Sequence, residues 1–164
     1  MTAHKVLILM GSENDRPVME ECRKVLADLG VECEMRVASA HRTPDRVADL
    51  AGKARERGFG VIVAGAGLAA HLAGAVAART TLPVIGVPLD AGPLKGLDAL
   101  LSTAQMPRGI PVASMAIGSH GAANAGLFAA AILAVGDAGL RQKLDDQRRE
   151  MAEKLERQDA AVRG

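Results

Sequence analysis

The sequence predicts an α/β fold: a three-layer sandwich with a central parallel sheet, followed by a C-terminal helix. Two observations carry this. Short apolar runs such as Lys5–Met10 and Val61–Ala64 read as strands covered on both faces. Between them lie stretches whose apolar residues recur at helical spacing, so strand and helix alternate as βαβ units require.

Lys5-Val-Leu-Ile-Leu-Met10 is the first strand and ends at Gly11. Asp15 is expected to cap a helix with Pro17 in its first turn and Val18, Met19, Cys22, Val25, Leu26 and Leu29 on its apolar face, and Gly30 stops it. Val31 to Ser39 alternates more, as an edge strand would. Thr43 is expected to cap a second helix, with Pro44 first, Asp45 at the positive end of the dipole, and Val47, Leu50, Ala51 and Ala54 inward. Gly58 ends it. Val61–Ala64 is a third strand, followed by a Gly/Ala turn and an Ala-rich helix to about Arg79, with His71 one turn inside.

Leu82–Pro88 is a fourth strand, Asp90–Lys95 a loop, and Leu97–Thr103 a short helix. Gln105–Pro111 is punctuated by Pro and Gly, and Val112–Ile117 reads as a fifth strand. Asn124–Val135 is a small-residue helix, apolar nearly all round, which implies burial on more than one side. The tail from Ala138 to Ala161 is densely charged, with Leu140, Leu144, Met151 and Leu155 on one stripe that needs a surface, its own domain or a neighbouring subunit. No repeat or linker interrupts the pattern, so 1–164 reads as a single catalytic domain with 137–161 as its C-terminal helix. The simplest version of this architecture is flavodoxin-like.

Composition excludes several classes. The chain has 20 Lys and Arg against 19 Asp and Glu, interspersed, so no electrostatic footprint for nucleic acid exists. With no Trp or Tyr and only Phe59 and Phe128, bases have almost nothing to stack on. Cys22 and Cys33 form no CxxC pair and read as free thiols in a reducing cytoplasm. The opening apolar run is too short for a signal segment, and Ala125–Val135 is far short of a membrane span. A soluble cytoplasmic protein, bound to neither membrane nor nucleic acid, is expected.

Three strand-to-helix turns carry the chemistry. Gly11-Ser12 opens the first; Ser12 offers a hydroxyl and an N–H where anions are favoured, and Asp15 a carboxylate. An ordinary tight turn would use the same residues, and neither a Walker loop nor a GxGxxG is present. The second, Ser39-Ala-His41-Arg42-Thr43-Pro44, sets an imidazole able to exchange protons near neutral pH beside a guanidinium suited to phosphate. The third, Ala64-Gly65-Ala66-Gly67, is a wall almost without side chains until His71, which could be a proton partner or a cap. Close helix–strand packing would favour the same small residues. His4 and His120 carry little functional expectation. No His or Cys pattern suits a metal, so none is expected.

Met10-Gly-Ser-x-x-Asp15, Ser39–Pro44, Ala64-Gly-Ala-Gly67 with Ala69-Ala-His71-Leu72, Gln105-Met-Pro-x-Gly-Ile-Pro-Val112 and Gly121-Ala-Ala-Asn-Ala125 together resemble the bacterial class I PurE family. That family comprises N5-carboxyaminoimidazole ribonucleotide mutases of purine biosynthesis. The likeness runs from Val6 to about Leu144. It implies a mutase activity without cofactor, a ribonucleotide substrate and a homo-octamer. By position, Ser12, Asp15 and Arg42 match nucleotide-contacting residues, His41 the general acid/base, and Ser39 and His71 residues lining the site. Gly11, Ala66 and Gly67 would complete the substrate pocket.

The chain departs from the family pattern at Leu68, usually Gly, at Ala73, usually Pro, and at Asn14, where Ser or Asp is common. Related class II enzymes use free CO2 and the unmodified aminoimidazole ribonucleotide, so a carboxylase is the nearest alternative. A non-catalytic nucleotide-binding module would need Ser12, Asp15 and Arg42 but not His41. A metal-dependent transferase on the same fold is a third alternative, which full activity in a chelator would eliminate.

Overall fold

A computed structural model describes residues 5–163. Five parallel strands form one sheet: β1 (Lys5–Met10), β2 (Glu32–Val37), β3 (Phe59–Gly67), β4 (Val84–Leu89) and β5 (Ala113–Ser114), in the order β2-β1-β3-β4-β5. Six helices accompany them: α1 (Arg16–Asp28), α2 (Pro44–Gly52), α3 (Leu72–Ala77), α4 (Leu97–Ala104), α5 (Ser119–Ala134) and α6 (Ala138–Arg163). This is the flavodoxin-like strand order.

The continuous apolar runs follow from burial on both faces. Val6, Ile8 and Met10 of β1 and Val61 and Val63 of β3 point into a core shared with Met19, Cys22 and Leu26 of α1 and the alanines of α5. Their neighbours Leu7, Leu9, Ile62 and Ala64 point the other way, into a second core with Val47 and Leu50 of α2 and Leu72 and Val76 of α3. Helix α5 is buried on several sides, as its composition required, because it lies against α1, the sheet and α6. Gly126 permits the approach to α1: a methyl there would come within 2.9 Å of the Cys22 carbonyl oxygen.

Local boundaries differ in instructive ways. Asp15 stands at the start of α1 but makes no side-chain capping bond there. It closes a capping box with Ser12 around a 3-10 turn, Glu13–Asp15, instead. Thr43 likewise does not cap α2; its hydroxyl is tied to Ser39. The edge strand β2 is shorter than Val31–Ser39, and α2 stops before Ala54, which is nevertheless fully buried. Strand β3 continues through Gly67, because Ala66 and Gly67 pair with Pro88 and Leu89. The third helix begins only at Leu72, so His71 stands at its N-cap position rather than one turn inside.

The fifth strand shrinks to two residues, because Pro88 has no N–H to extend the ladder beyond the Gly86–Ser114 pair. Helix α5 starts five residues earlier than Asn124, at Ser119. In the tail, Leu140 is buried and Leu144 packs against the domain, while the Lys143 ammonium caps α1 by donating to the Leu29 carbonyl at 2.8 Å. Met151 and Leu155, on the same stripe, are exposed. No helix among the described residues is long and apolar enough to cross a membrane.

Candidate active site

In this strand order the chain turns to opposite sides of the sheet at β1 and β3, and a crevice opens beyond their carboxyl ends. A cavity of about 520 Å³ occupies it, the size range of small-molecule sites. Gly11, Ser12, Asp15, Ser39, His41, Arg42, Ala66, Gly67 and His71 all line it, so every candidate site residue converges on one place. His120 lies elsewhere on an exposed helix turn, and His4 lies outside the described residues.

The turn after β1 is braced from within. Ser12 N–H donates to Asp15 Oδ2 at 2.8 Å, and Asn14 N–H donates to Ser12 Oγ at 3.2 Å. Partial burial pushes the Asp15 carboxyl above its usual range, opposed by the Ser12 N–H and the Arg42 charge.

The turn after β2 is a knot between Ser39 and Thr43. Ser39 N–H donates to Thr43 Oγ1 at 2.9 Å, and that hydroxyl donates to the Ser39 carbonyl at 3.2 Å. The knot presents His41 and Arg42 outward. Arg42 Nη2 donates to the Gly11 carbonyl at 2.7 Å and its Nε to Ser39 Oγ at 3.4 Å, so the guanidinium joins the first two turns.

His41 Nε2 lies 2.8 Å from His71 Nδ1, with the rings edge-on at 72°. One of these nitrogens donates and the other accepts, which leaves His41 Nδ1 and His71 Nε2 for a ligand or solvent. Ala66 and Gly67, which bear no more than a methyl group, line the same cavity. After them comes Leu68, with φ of +54°. The left-handed region costs a non-glycine residue about 1–2 kcal/mol. The arrangement offers a movable proton, a cation and a carboxylate around a wall without polar side chains. Among the described residues no three His, Cys, Asp or Glu side chains come together as a metal site.

Comparison with known proteins places the chain in a family. A family model described as AIR carboxylase matches residues 5–154. The chain belongs to that family. It is 52% identical over 149 residues to the N5-carboxyaminoimidazole ribonucleotide mutase of Vibrio parahaemolyticus, covering 91% of this chain and 92% of the relative. The Bacillus subtilis protein of the same name is 55% identical over 141 residues, covering 86% and 87%. Among solved structures, Treponema denticola PurE superposes with a TM-score of 0.86 at 27% identity, over 95% of this chain and 96% of that one.

In this AIR carboxylase family member Asn14, Ala40, Leu68, Ala69 and Leu72 also line the cavity from within the stretches the sequence singles out, whereas Ala91 comes from the loop after β4, outside all of them. Asp90-Ala91-Gly92 does follow a strand end, which was the available signal. Its placement beside Gly67 depends on β3 pairing with β4, and no local pattern contains that pairing.

Proposed function

We propose that this chain is an N5-carboxyaminoimidazole ribonucleotide mutase, moving a carboxyl group from the exocyclic nitrogen to a ring carbon to give 4-carboxy-5-aminoimidazole ribonucleotide. The 2.8 Å contact between His41 and His71, inside a cavity that also holds Ser12, Asp15 and Arg42, is the observation that carries the mechanism. The N–C bond breaks, its electron pair returns to nitrogen, and His41 supplies the proton that makes the departing amine neutral. CO2 and aminoimidazole ribonucleotide then share the cavity. The electron-rich ring carbon attacks CO2, and His41 removes the ring proton once the C–C bond exists, so the imidazole ends as it began. His71 holds and exchanges the proton on the far side of His41. Ser12, Asp15 and Arg42 grip the ribose and phosphate, Ser39 anchors Arg42, and Gly11, Ala66 and Gly67 let the ligand approach backbone.

The proposal extends to the setting: a single catalytic domain over 1–164, acting in the cytoplasm as a homo-octamer. Met151 and Leu155, both exposed on α6, support packing of the 137–161 helix on a neighbouring subunit. A monomeric mass at micromolar concentration would overturn that part. For the chemistry, purified protein is given either the N5-carboxylated nucleotide or the parent nucleotide with bicarbonate. Preference for the first is expected, with His41→Asn keeping ligand affinity and losing turnover. Preference for the second would make the protein a carboxylase of free CO2, and turnover with neither would leave a binding module.

A further inference from the structure

Thr43 does not line the cavity. It follows His41 and Arg42 in the turn after β2, and its side chain turns back to the residue at the start of that turn. Thr43 Oγ1 accepts from the Ser39 N–H at 2.9 Å and donates to the Ser39 carbonyl at 3.2 Å. Its own main-chain N–H donates to that same carbonyl at 2.9 Å. The Thr43 carbonyl in turn accepts from the Val47 N–H at 3.2 Å, which opens the hydrogen-bond ladder of α2. One residue is thus bonded backward to the start of the turn and forward to the helix, and His41 and Arg42 lie on the chain it closes.

The hydroxyl is placed against the local rule. A threonine at an N-cap ordinarily accepts from a backbone N–H in the first turn of its own helix. Thr43 occupies that position ahead of α2, with φ of −137° and ψ of 56°, and its side chain makes no such bond. The helix goes without its side-chain cap while the hydroxyl serves Ser39. Ser39 presents a donor and an acceptor together, and a hydroxyl meets both through one atom. Both bonds are exposed, and water can replace either partner, so the ring adds little to the stability of the fold. What the ring settles is direction. Within it His41 stands with Nε2 2.8 Å from His71 Nδ1, and Arg42 with Nη2 2.7 Å from the Gly11 carbonyl.

We propose that Thr43 is a positioning residue for the reaction: its hydroxyl holds the turn that aims His41 at His71 and Arg42 at the ligand. The inference rests on the mutase reading for what His41 and Arg42 do. Thr43 acts through these two residues and touches no reacting atom.

Three full-length variants test it. Thr43→Val keeps the shape and removes the hydroxyl, Thr43→Ser keeps the hydroxyl, and Thr43→Asn supplies a stronger helix cap with its polar atoms one bond farther from the backbone. Turnover is measured with the N5-carboxylated nucleotide, affinity for aminoimidazole ribonucleotide by calorimetry, and folding by thermal melts. All three should melt within about 5 °C of wild type, since an exposed hydrogen bond contributes little. Thr43→Val should lower kcat by about ten- to a hundredfold, the scale of a misplacement by about 1 Å in a site, and should weaken ligand binding severalfold. Thr43→Ser should recover most of both losses, and Thr43→Asn neither. Undiminished kcat and affinity in Thr43→Val would overturn the proposal, as would failure of serine to recover them. Recovery by asparagine, or a loss of activity no larger than the loss of folded protein, would reduce Thr43 to a part of the fold and overturn it too. If wild type turns over no N5-carboxylated nucleotide, it is the mutase reading that fails, and the binding loss with its recovery by serine still decides whether Thr43 holds Arg42.

Discussion

Replacing Gly67 by alanine tests whether the cavity wall is as tightly set as its geometry implies. The added Cβ would stand 2.7 Å from the Ala91 Cβ and 3.3 Å from the Leu89 carbonyl oxygen. Carbon atoms in good contact lie about 3.5–4.0 Å apart, so roughly 1 Å of separation must be created. Neither neighbour can rotate away, since one is a methyl on the backbone and the other is backbone. Overpacking of this kind costs about 1–3 kcal/mol. At roughly 2–4 °C per kcal/mol for a domain of this size, the melting temperature falls by about 2–12 °C. Ala91→Gly alone costs about 0.4–1 kcal/mol through the unfolded chain. Because the two methyls compete for one space, the double variant should recover much of the loss, with a coupling of about 1–2 kcal/mol. Denaturant melts of the four proteins measure it. Turnover should follow the same pattern, since displacement by about 1 Å in a site can cost as much as a hundredfold. Strict additivity of the two substitutions would refute the reasoning.

Two other glycines give opposite signs for one chemical change. Gly121→Ala puts a methyl 1.6 Å from the Ala116 carbonyl oxygen and should lower the melting temperature by at least about 5 °C, whereas Gly52→Ala, with nothing within 4 Å, should raise it by about 1–3 °C. Burial raises the Asp15 pKa, so the stability held by its protonated form is complete below about pH 4 and is lost as pH rises through the folded value. Asp15→Asn cannot ionise; its melting temperature relative to wild type should rise between pH 4 and 7 while substrate affinity falls, and a difference that shrinks would contradict this. The Cys22 thiol, pushed up to about 12 by burial, should resist iodoacetamide at pH 8 in the native protein and react fully after denaturation, as mass spectrometry of the two states would report.

The parts of the fold legible in sequence are those whose residues alternate between two buried faces. Val6 to Met10 and Val61 to Ala64 could be nothing but central strands, and Gly30, at φ of +73°, could only end a helix. Legibility failed where a tertiary partner overrode a local signal. Thr43 has the chemistry of a cap, but Ser39 holds its hydroxyl. Gly121 precedes the helix expected from Asn124, yet it lies inside α5, where the Ala116 carbonyl leaves no room for a side chain. The run Ala64 to His71 has no hydrophobic period to separate strand from helix, and only pairing with β4 settles it. The site divides in the same way. Its polar members follow strand ends and were visible, whereas Ala91 depends on strand order.

The geometry of Arg42 shows why the two turns act as one device before any ligand arrives. A free arginine loses much rotamer entropy on gripping an anion, which weakens binding. Here Nη2 is already held by Gly11 and Nε by Ser39, while the Arg42 main-chain N–H is itself tied to Ser39 Oγ at 3.2 Å. Both Nη1 hydrogens and the second on Nη2 remain for a phosphate, presented from a fixed plane. In the proposed role Arg42 would contribute charge and orientation with most of its ordering already done in the folded chain. The same anchoring sets the neighbouring His41, one residue away on the knot, where its ring meets His71. Under the proposed roles, ligand grip by Arg42 and proton transfer by His41 would share a single scaffold, the Ser39–Thr43 turn, and Ser39→Ala should degrade both together.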